Sequence, residues 1–368
     1  MVFLINASNI RGGGGQQVAD SICGLLFRYP EHKFIVVLSF AFKTTKDRFG
    51  NYDNVEYYQY EIKKSLRTLL IGRDSFLDSI VEKYHVNAVL TVFGPCMGWK
   101  PRVAHLCGFA RPQLVLTDSP FYQTYNWKDK AYLQYLRFLF KRCSKIFYTE
   151  NPYISDLAKN KLGKVEVKTV TNYYNQIFDS PDKWKFRELP KFDGCTLLTI
   201  STNNPHKNYN IIPKIALYLK TNHPEFKFRF VLTIKREDLK DIPEEVVDSI
   251  LFLGWVDISE CPGLYQQSDI MFMPSLMECF SATYPEAMRM EKPIVTTDLD
   301  FAKGLCADAA CYYSSIDAVS AANAILKVAN DKVYGKYLVE KGKNQLKTFD
   351  TYEQRADKLI RILESLSK

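Results

Sequence analysis

Short apolar runs alternate with amphipathic stretches along nearly the whole chain, and the alternation starts afresh halfway. Such runs are too short for buried helices and suit strands covered on both faces. Strand and helix in turn build a parallel sheet between helical layers. In the first half the strands are expected at 2–6, 33–39, 86–92, 102–107, 114–117 and 145–149. Four glycines, Gly12 to Gly15, make a tight turn after the first strand, and a helix over 16–27 follows. The stretch 161–174 passes from polar to extended, and 178–191 is rich in proline and charge, so the boundary falls around 170–192. Beyond it, strands are expected at 195–201, 228–233, 250–253, 270–273 and 293–297. Helices are expected at 210–221, 262–267, 319–329, 332–346 and 351–367. The fold class is α/β, with two doubly wound Rossmann-like domains over 1–175 and 176–348. A last helix within 349–368 can cross back to the first domain.

Composition narrows the function classes. A chain of 368 residues is too long for one ordinary core and suits two domains. No apolar run reaches the roughly 20 residues needed to span a bilayer, the longest lying at 34–42. The chain enters a strand directly from Met1, so no secretory signal is evident and a cytoplasmic location is expected. Nine cysteines are scattered without a Cys-x-x-Cys pair or a His/Cys cluster. That pattern argues against a disulfide framework or structural zinc and fits a reducing compartment. The net charge of +8 suits phosphate-bearing substrates or an anionic membrane surface. Nucleic acid is not expected, because no dense basic stripe or reader motif is present.

One segment carries most of the chemistry: Met273-Pro-Ser-Leu-Met-Glu278-Cys-Phe-Ser-Ala-Thr-Tyr-Pro-Glu286-Ala-Met288. Its first carboxylate follows a strand and its second lies in the first turns of a helix expected at 281–290. A strand-to-helix junction offers free backbone N–H groups and the positive end of a helix dipole, a setting for phosphate. Carboxylates on either side accept hydrogen bonds from hydroxyls. Phosphate flanked by hydroxyls describes a nucleotide sugar. Isolated Glu pairs at this spacing are usually solvated helix charges; the flanking strand and turn argue otherwise here.

The Glu-x7-Glu spacing, followed by Lys292-Pro-Ile-Val-Thr-Thr-Asp298, resembles retaining glycosyltransferases of family 4. Phe252-Leu-Gly-Trp-Val256 is similar to that family's Phe-x-Gly-x-Val strand end. Leu264-Tyr-Gln-Gln-Ser-Asp269 through Pro274-Ser275 resembles its Leu-x-x-x-x-Asp-x-x-x-x-Pro-Ser stretch. Asp308-Ala-Ala310 and Phe349-Asp-Thr-Tyr352 are similar as well. The resemblance is strong over 195–368 and looser before it. It implies the GT-B architecture, two Rossmann-like domains facing across a cleft, with acceptor recognition in the first domain and the donor in the second.

By this resemblance Glu286 accepts hydrogen bonds from the donor ribose and Glu278 lies near the transferred sugar. Cys279, Phe280 and Ser281 stand where the family has Gly-Phe-Gly, their N–H groups facing sugar and phosphate. Gly254, at the end of the Phe-x-Gly strand, joins the donor-binding set. Lys207, in Ser201-Thr-Asn-Asn-Pro-His-Lys207, would neutralise the leaving diphosphate, where charge grows as the sugar departs. Thr202 replaces the family's usual Arg, so Thr202 and Asn203 are expected to offer neutral donors. Lys207 reads as an exposed loop lysine whose removal would spare the fold. Gly14 and Gly15 allow close approach of a phosphate or acceptor. A nicotinamide fingerprint fails at Gln17, where its last glycine belongs. His105 matches a family histidine directed at the donor sugar; a lone His after a strand is otherwise a satisfied structural residue.

The one Asp-x-Asp triplet, Asp298-Leu-Asp300, begins inside the stretch that resembles family 4, and the resemblance implies neither metal nor cofactor. The helix within 122–142 has a basic face (Lys130, Gln134, Arg137, Lys141) and an apolar face (Leu133, Leu136, Leu139, Phe140). Two readings stand: a helix packed on its sheet, or a membrane-surface patch near a lipid-linked acceptor on the inner membrane. The activity implied is transfer of a hexose-type sugar from a UDP- or GDP-sugar to a glycan, with retention. The alternatives are another GT-B enzyme, such as a nucleotide-sugar epimerase or sucrose-type synthase, and a non-catalytic sugar-binding scaffold of the same fold.

Overall fold

The computed structural model describes residues 1–42 and 49–368. The chain forms two compact units. The first comprises Met1–Thr117, Tyr125–Asn172 and Asp350–Lys368; the second comprises Asp118–Thr124 and Tyr173–Phe349.

The first unit is built on a seven-stranded parallel sheet. Its strands are β1 (Val2–Ala7), β2 (Lys33–Leu38), β3 (Val55–Gln59), β4 (Ala88–Thr91), β5 (Ala104–Gly108), β6 (Ile146–Thr149) and β7 (Glu166–Thr169). They lie in the order β3-β2-β1-β4-β5-β6-β7. Side chains alternate across the sheet: Phe3, Ile5, Phe34 and Val36 enter one core, while Leu4, Ile35, Val37 and Val89 enter the other. Both faces are covered, which accounts for strands that are apolar throughout.

The C-terminal helix Tyr352–Leu366 belongs to this unit and buries Leu359, Ile360 and Leu363 in the first of those cores. Its entry is fixed by a reciprocal pair: Thr171 N–H donates to the Asp350 carboxylate at 2.9 Å, and Asp350 N–H donates to the Thr171 hydroxyl at 2.6 Å. Arg355, almost wholly buried, donates to the Asn172 side-chain oxygen and lies 3.9 Å from Glu150.

The second unit holds a six-stranded parallel sheet: β8 (Cys195–Thr199), β9 (Phe228–Leu232), β10 (Ile250–Phe252), β11 (Ile270–Met273), β12 (Ile294–Thr297) and β13 (Ala310–Tyr313). Its order is β10-β9-β8-β11-β12-β13. The chain winds outward from β8 to β10, then returns to β8's other side with β11 and winds outward again. Helices Ile212–Asn222 and Ala318–Asn330 pack on one face through Ile215, Leu219 and Ile325.

Three expectations need correction. Residues 114–117 are not a strand; the 3-10 turn Pro112–Leu114 stands there instead, opened by a proline that can donate no ladder hydrogen bond. The glycine run is not only a turn. Helix Gly13–Cys23 begins inside it, so Gly14 and Gly15 are helical, and Gly12 (φ 146°) and Gly13 (φ 63°) take the positive φ. Strands β3 and β13, absent from the expected set, pair with β2 from Phe34↔Val55 to Leu38↔Gln59 and with β12 from Ile294↔Ala310 to Thr297↔Tyr313.

Candidate functional site

In open α/β sheets, ligands sit beyond the carboxyl ends of the strands where the winding reverses. In the second unit that point lies between β8 and β11, and these strands lead into the loops that carry Lys207 and Glu278.

After β8 the chain runs through Thr202 to the 3-10 turn Pro205–Lys207. Asn208 adopts a left-handed conformation (φ 54°), which asparagine tolerates better than most residues, and redirects the chain into helix. After β11, Ser275 is fully buried, its carbonyl accepting from the Thr297 hydroxyl at 2.8 Å. The two loops are tied through the backbone: Leu276 N–H donates to the His206 carbonyl at 2.8 Å. A third segment closes on them, as the Ser119 hydroxyl donates to the Leu276 carbonyl at 2.6 Å.

This frame brings Lys207 and Glu278 together. The ammonium donates to Glu278 Oε1, and the Ser275 hydroxyl donates to the same oxygen at 2.8 Å. Their side chains are 12% and 9% exposed, so Lys207 is not the exposed loop lysine expected. A paired, desolvated cation is held in place far better than a free one on a four-carbon stem. His206 packs beside the pair, its ring centroid 5.9 Å from that of Phe121. Burial lowers its pKa; Glu278 works against that shift and Lys207 adds to it.

Glu286 lies in helix Thr283–Arg289 and is 4% exposed. The Tyr265 hydroxyl donates to it at 3.3 Å. Burial pushes its carboxyl up to about 7, the Tyr265 hydrogen bond opposing part of that rise. Between the two glutamates, Cys279 is buried and the Ser281 hydroxyl meets that of Thr283 at 2.6 Å. The Phe280 ring stands edge-on to Phe349 at 6.1 Å. Cys279, Phe280 and Ser281 are not among the described residues with positive φ, so the turn forms without the family's glycines. Gly254 ends β10's loop at φ 69°, donating to the Ile234 carbonyl at 3.0 Å.

Thr202 and Asn203 are engaged within the second unit. The Asn204 amide donates to the Thr202 hydroxyl at 2.8 Å, and the Asn203 amide reaches the Asp238 carbonyl at 3.4 Å. No Arg supplements Lys207 at position 202, as the sequence already indicated. Among the described residues no group of three His, Cys, Asp or Glu side chains is placed to hold a metal ion. All nine cysteines are free.

His105 lies in the interior of the first unit. Its Nδ1–H donates to the Cys143 carbonyl at 2.8 Å, and Nε2 accepts from the Thr91 hydroxyl at 2.9 Å. Burial lowers its pKa to about 4, which keeps the ring neutral. Both nitrogens are taken inside the first unit, the arrangement of a satisfied structural histidine. Gly14 and Gly15 open the helix that follows β1, at the first unit's own reversal between β1 and β4. Helix Gly13–Cys23 has no side-chain cap, and a Cβ added at Gly14 would meet nothing within 4 Å.

Sequence reasoning missed three contributors. Ser275 was visible in the Pro-Ser motif, but its aim at Glu278 depends on the fold. Tyr265 reaches Glu286 only because helix Cys261–Gln266 packs beside it. Ser119 comes from a segment far away in the chain that folds with the second unit.

Residues 195–331 match the family model described as glycosyl transferases group 1. An uncharacterized 41.2 kDa protein in the cps region of Klebsiella pneumoniae is 23% identical over 182 residues, covering 48% of this chain and 49% of that protein. An O-antigen chain mannosyltransferase of Salmonella typhimurium strain LT2 is 22% identical over 233 residues, covering 61% and 63%. The chain thus spans between about half and under two thirds of these curated relatives. Solved structures superimpose far more completely, among them WaaG, a glycosyltransferase involved in lipopolysaccharide biosynthesis, at a TM-score of 0.70 and 13% identity over 99% of both chains. Anabaena Alr3699/HepE in complex with UDP and glucose aligns at a TM-score of 0.69 and 14% identity, covering 99% of both chains. The fold is therefore GT-B, and the stretch 195–331 of the second unit is similar to group 1 glycosyl transferases.

Proposed function

We propose that this chain is a retaining, metal-independent glycosyltransferase that moves a hexose-type sugar from a UDP- or GDP-sugar to a glycan, the acceptor being a lipid-linked surface polysaccharide. The observation that carries the reading is the meeting of Lys207 and Glu278 at the winding reversal of the second sheet, with Glu286 in the helix that follows. The donor diphosphate takes the Lys207 ammonium, Glu286 takes the ribose hydroxyls, and Glu278 faces the sugar. As the glycosidic bond breaks, negative charge grows on the departing phosphate, and a cation already held in place stabilises that state without reorganisation. Backbone N–H groups of Cys279, Phe280 and Ser281 supply further donors. Gly254, Thr202 and Asn203 line the donor side, and the first unit, with the helix opened by Gly14 and Gly15, takes the acceptor.

The cps-region relative and the O-antigen mannosyltransferase support a polysaccharide acceptor. The UDP and glucose held by the Anabaena protein support a nucleotide-sugar donor. The test is a panel of UDP- and GDP-sugars offered with and without glycan acceptor, scored by released nucleoside diphosphate. Acceptor-dependent release from one donor sustains the reading. Binding without release under any acceptor would leave a sugar-binding scaffold.

A further inference from the structure

The helix Trp127–Cys143 is apolar on two sides, and its packing accounts for only one. Leu133, Leu136, Leu139, Phe140 and Cys143 are buried in the first unit. On the outward side Trp127, Tyr135 and Phe138 recur at helical spacing and remain exposed, Trp127 by 75%. Lys128 and Lys141 are exposed on either flank of this stripe, and the helix carries five basic residues against one acid.

A second exposed apolar element adjoins it. The single π turn Arg67–Ile71 leaves Leu66 76% and Leu70 72% exposed, with Ile71 exposed beside them. Lys63, Lys64 and Arg67 are exposed in the same segment, which has no acid between 62 and 73. Arg142 fastens this turn to the helix. Its guanidinium donates to the carbonyls of Leu70 at 2.9 Å, Thr68 at 3.0 Å and Gly98 at 3.2 Å, and lies 5.4 Å from the Phe138 ring. The two elements therefore form one surface, with Trp127 about 16 Å along the helix from Phe138 at a rise of about 1.5 Å per residue.

Exposed aliphatic side chains, an aromatic stripe and flanking lysines form the pattern of a face that lies in a lipid headgroup region. Tryptophan and tyrosine favour that depth because their rings are apolar and their N–H and O–H groups polar. A soluble protein partner would meet the same apolar groups, but the excess of basic over acidic residues selects an anionic occupant.

We propose that the helix Trp127–Cys143 and the turn Arg67–Ile71 form a docking surface for an anionic lipid bilayer. Arg142 is its positioning residue, holding the turn Arg67–Ile71 against the helix beside Phe138. The surface lies wholly within the first unit and does not depend on the sugar-transfer reading.

The test is vesicle co-sedimentation of the full chain without donor or acceptor. Vesicles of phosphatidylcholine alone are compared with vesicles containing about a third phosphatidylglycerol. Each surface-facing lysine contributes on the order of 1 kcal/mol, about fivefold in partitioning. The chain should partition at least tenfold more onto the anionic vesicles, and salt should reduce that preference. Trp127→Ala/Leu70→Ala/Phe138→Ala should lose most of the binding, and Lys128→Glu/Lys141→Glu should lose the anionic preference. All five side chains are exposed, so melting temperatures should stay close to the parent's. Equal binding to both vesicle types, or full binding by the triple variant, would overturn the proposal. So would a dimer in light scattering that the triple variant abolishes while vesicle binding is absent, since a second copy would then cover the face.

Discussion

Lys207 donates to Glu278 Oε1, and the Ser275 hydroxyl donates to that same oxygen at 2.8 Å. One carboxylate oxygen thus fixes the cation proposed to meet the donor diphosphate. Lys207→Ala should cut turnover roughly 10²–10³-fold, the scale for losing one preorganised electrostatic contact. Lys207→Arg should restore only part, because a planar fork does not replace a compact ammonium. The alanine variant should also lose stability, by about 1–3 kcal/mol, since it strands a buried carboxylate. Adding Glu278→Gln should recover part of the stability and none of the turnover. Melting curves beside steady-state kinetics check both halves.

Glu286 sets a pH dependence. Its carboxyl is raised to about 7 by burial, so the charged form, proposed to accept two ribose hydroxyls, accumulates as pH rises through that value. Affinity for a nucleoside diphosphate should strengthen from pH 6 to 8 and then level. Because the folded state holds this proton more tightly than the unfolded chain, stability should fall as pH rises from about 4.5 through about 7. Glu150, raised the same way, acts over the same window, so the comparison is between parent and Glu286→Gln. Glu286→Ala should weaken binding by about 1.5–3 kcal/mol. Titration calorimetry across pH is the measurement, and unchanged affinity would remove Glu286 from the site.

His105 is expected to act on stability and not on donor affinity. With its pKa lowered to about 4 in the folded chain and near 6.5 unfolded, it costs stability as pH falls from 6.5 toward 4. His105→Ala should lose about 1–3 kcal/mol at pH 7 through two unmet buried hydrogen bonds and leave nucleotide affinity unchanged. A loss of affinity without a change in melting temperature would restore it to the donor site.

Lys207 and backbone dipoles are proposed to balance the diphosphate's charge. Turnover should therefore persist in excess chelator. Complete loss, restored by magnesium or manganese, would mean that the site handles charge through a metal.

Much of this was legible in the sequence, unevenly and for physical reasons. Helix Lys332–Leu346 stands at its expected limits, because its apolar period is clear and Asp331 caps it at Val333 and Tyr334. The Glu278–Glu286 junction was legible because a proline-closed strand and a helix start flank it. Strand β3 was missed since Glu56 and the half-buried Tyr57 and Tyr58 give it no continuous apolar run. The start of helix Gly13–Cys23 was misplaced because glycine has low helix propensity, and the helix forms there through packing of Val18, Ala19 and Ile22. The pairing of Lys207 with Glu278 spans 71 positions, and only the adjacency of β8 and β11 creates it. The first unit's outward aromatic stripe was not read in the sequence, where Trp127, Tyr135 and Phe138 are interleaved with the charges of what reads as a basic face.

The central claim is that the cation at the second sheet's reversal drives sugar transfer from a nucleotide donor. The most direct measurement is nucleoside diphosphate release from a panel of UDP- and GDP-sugars with a glycan acceptor, run on the parent chain and on Lys207→Ala with titration calorimetry alongside. The account predicts acceptor-dependent release from one donor, a 10²–10³-fold loss in the variant, and a much smaller change in nucleotide affinity. Equal release by both proteins would contradict it.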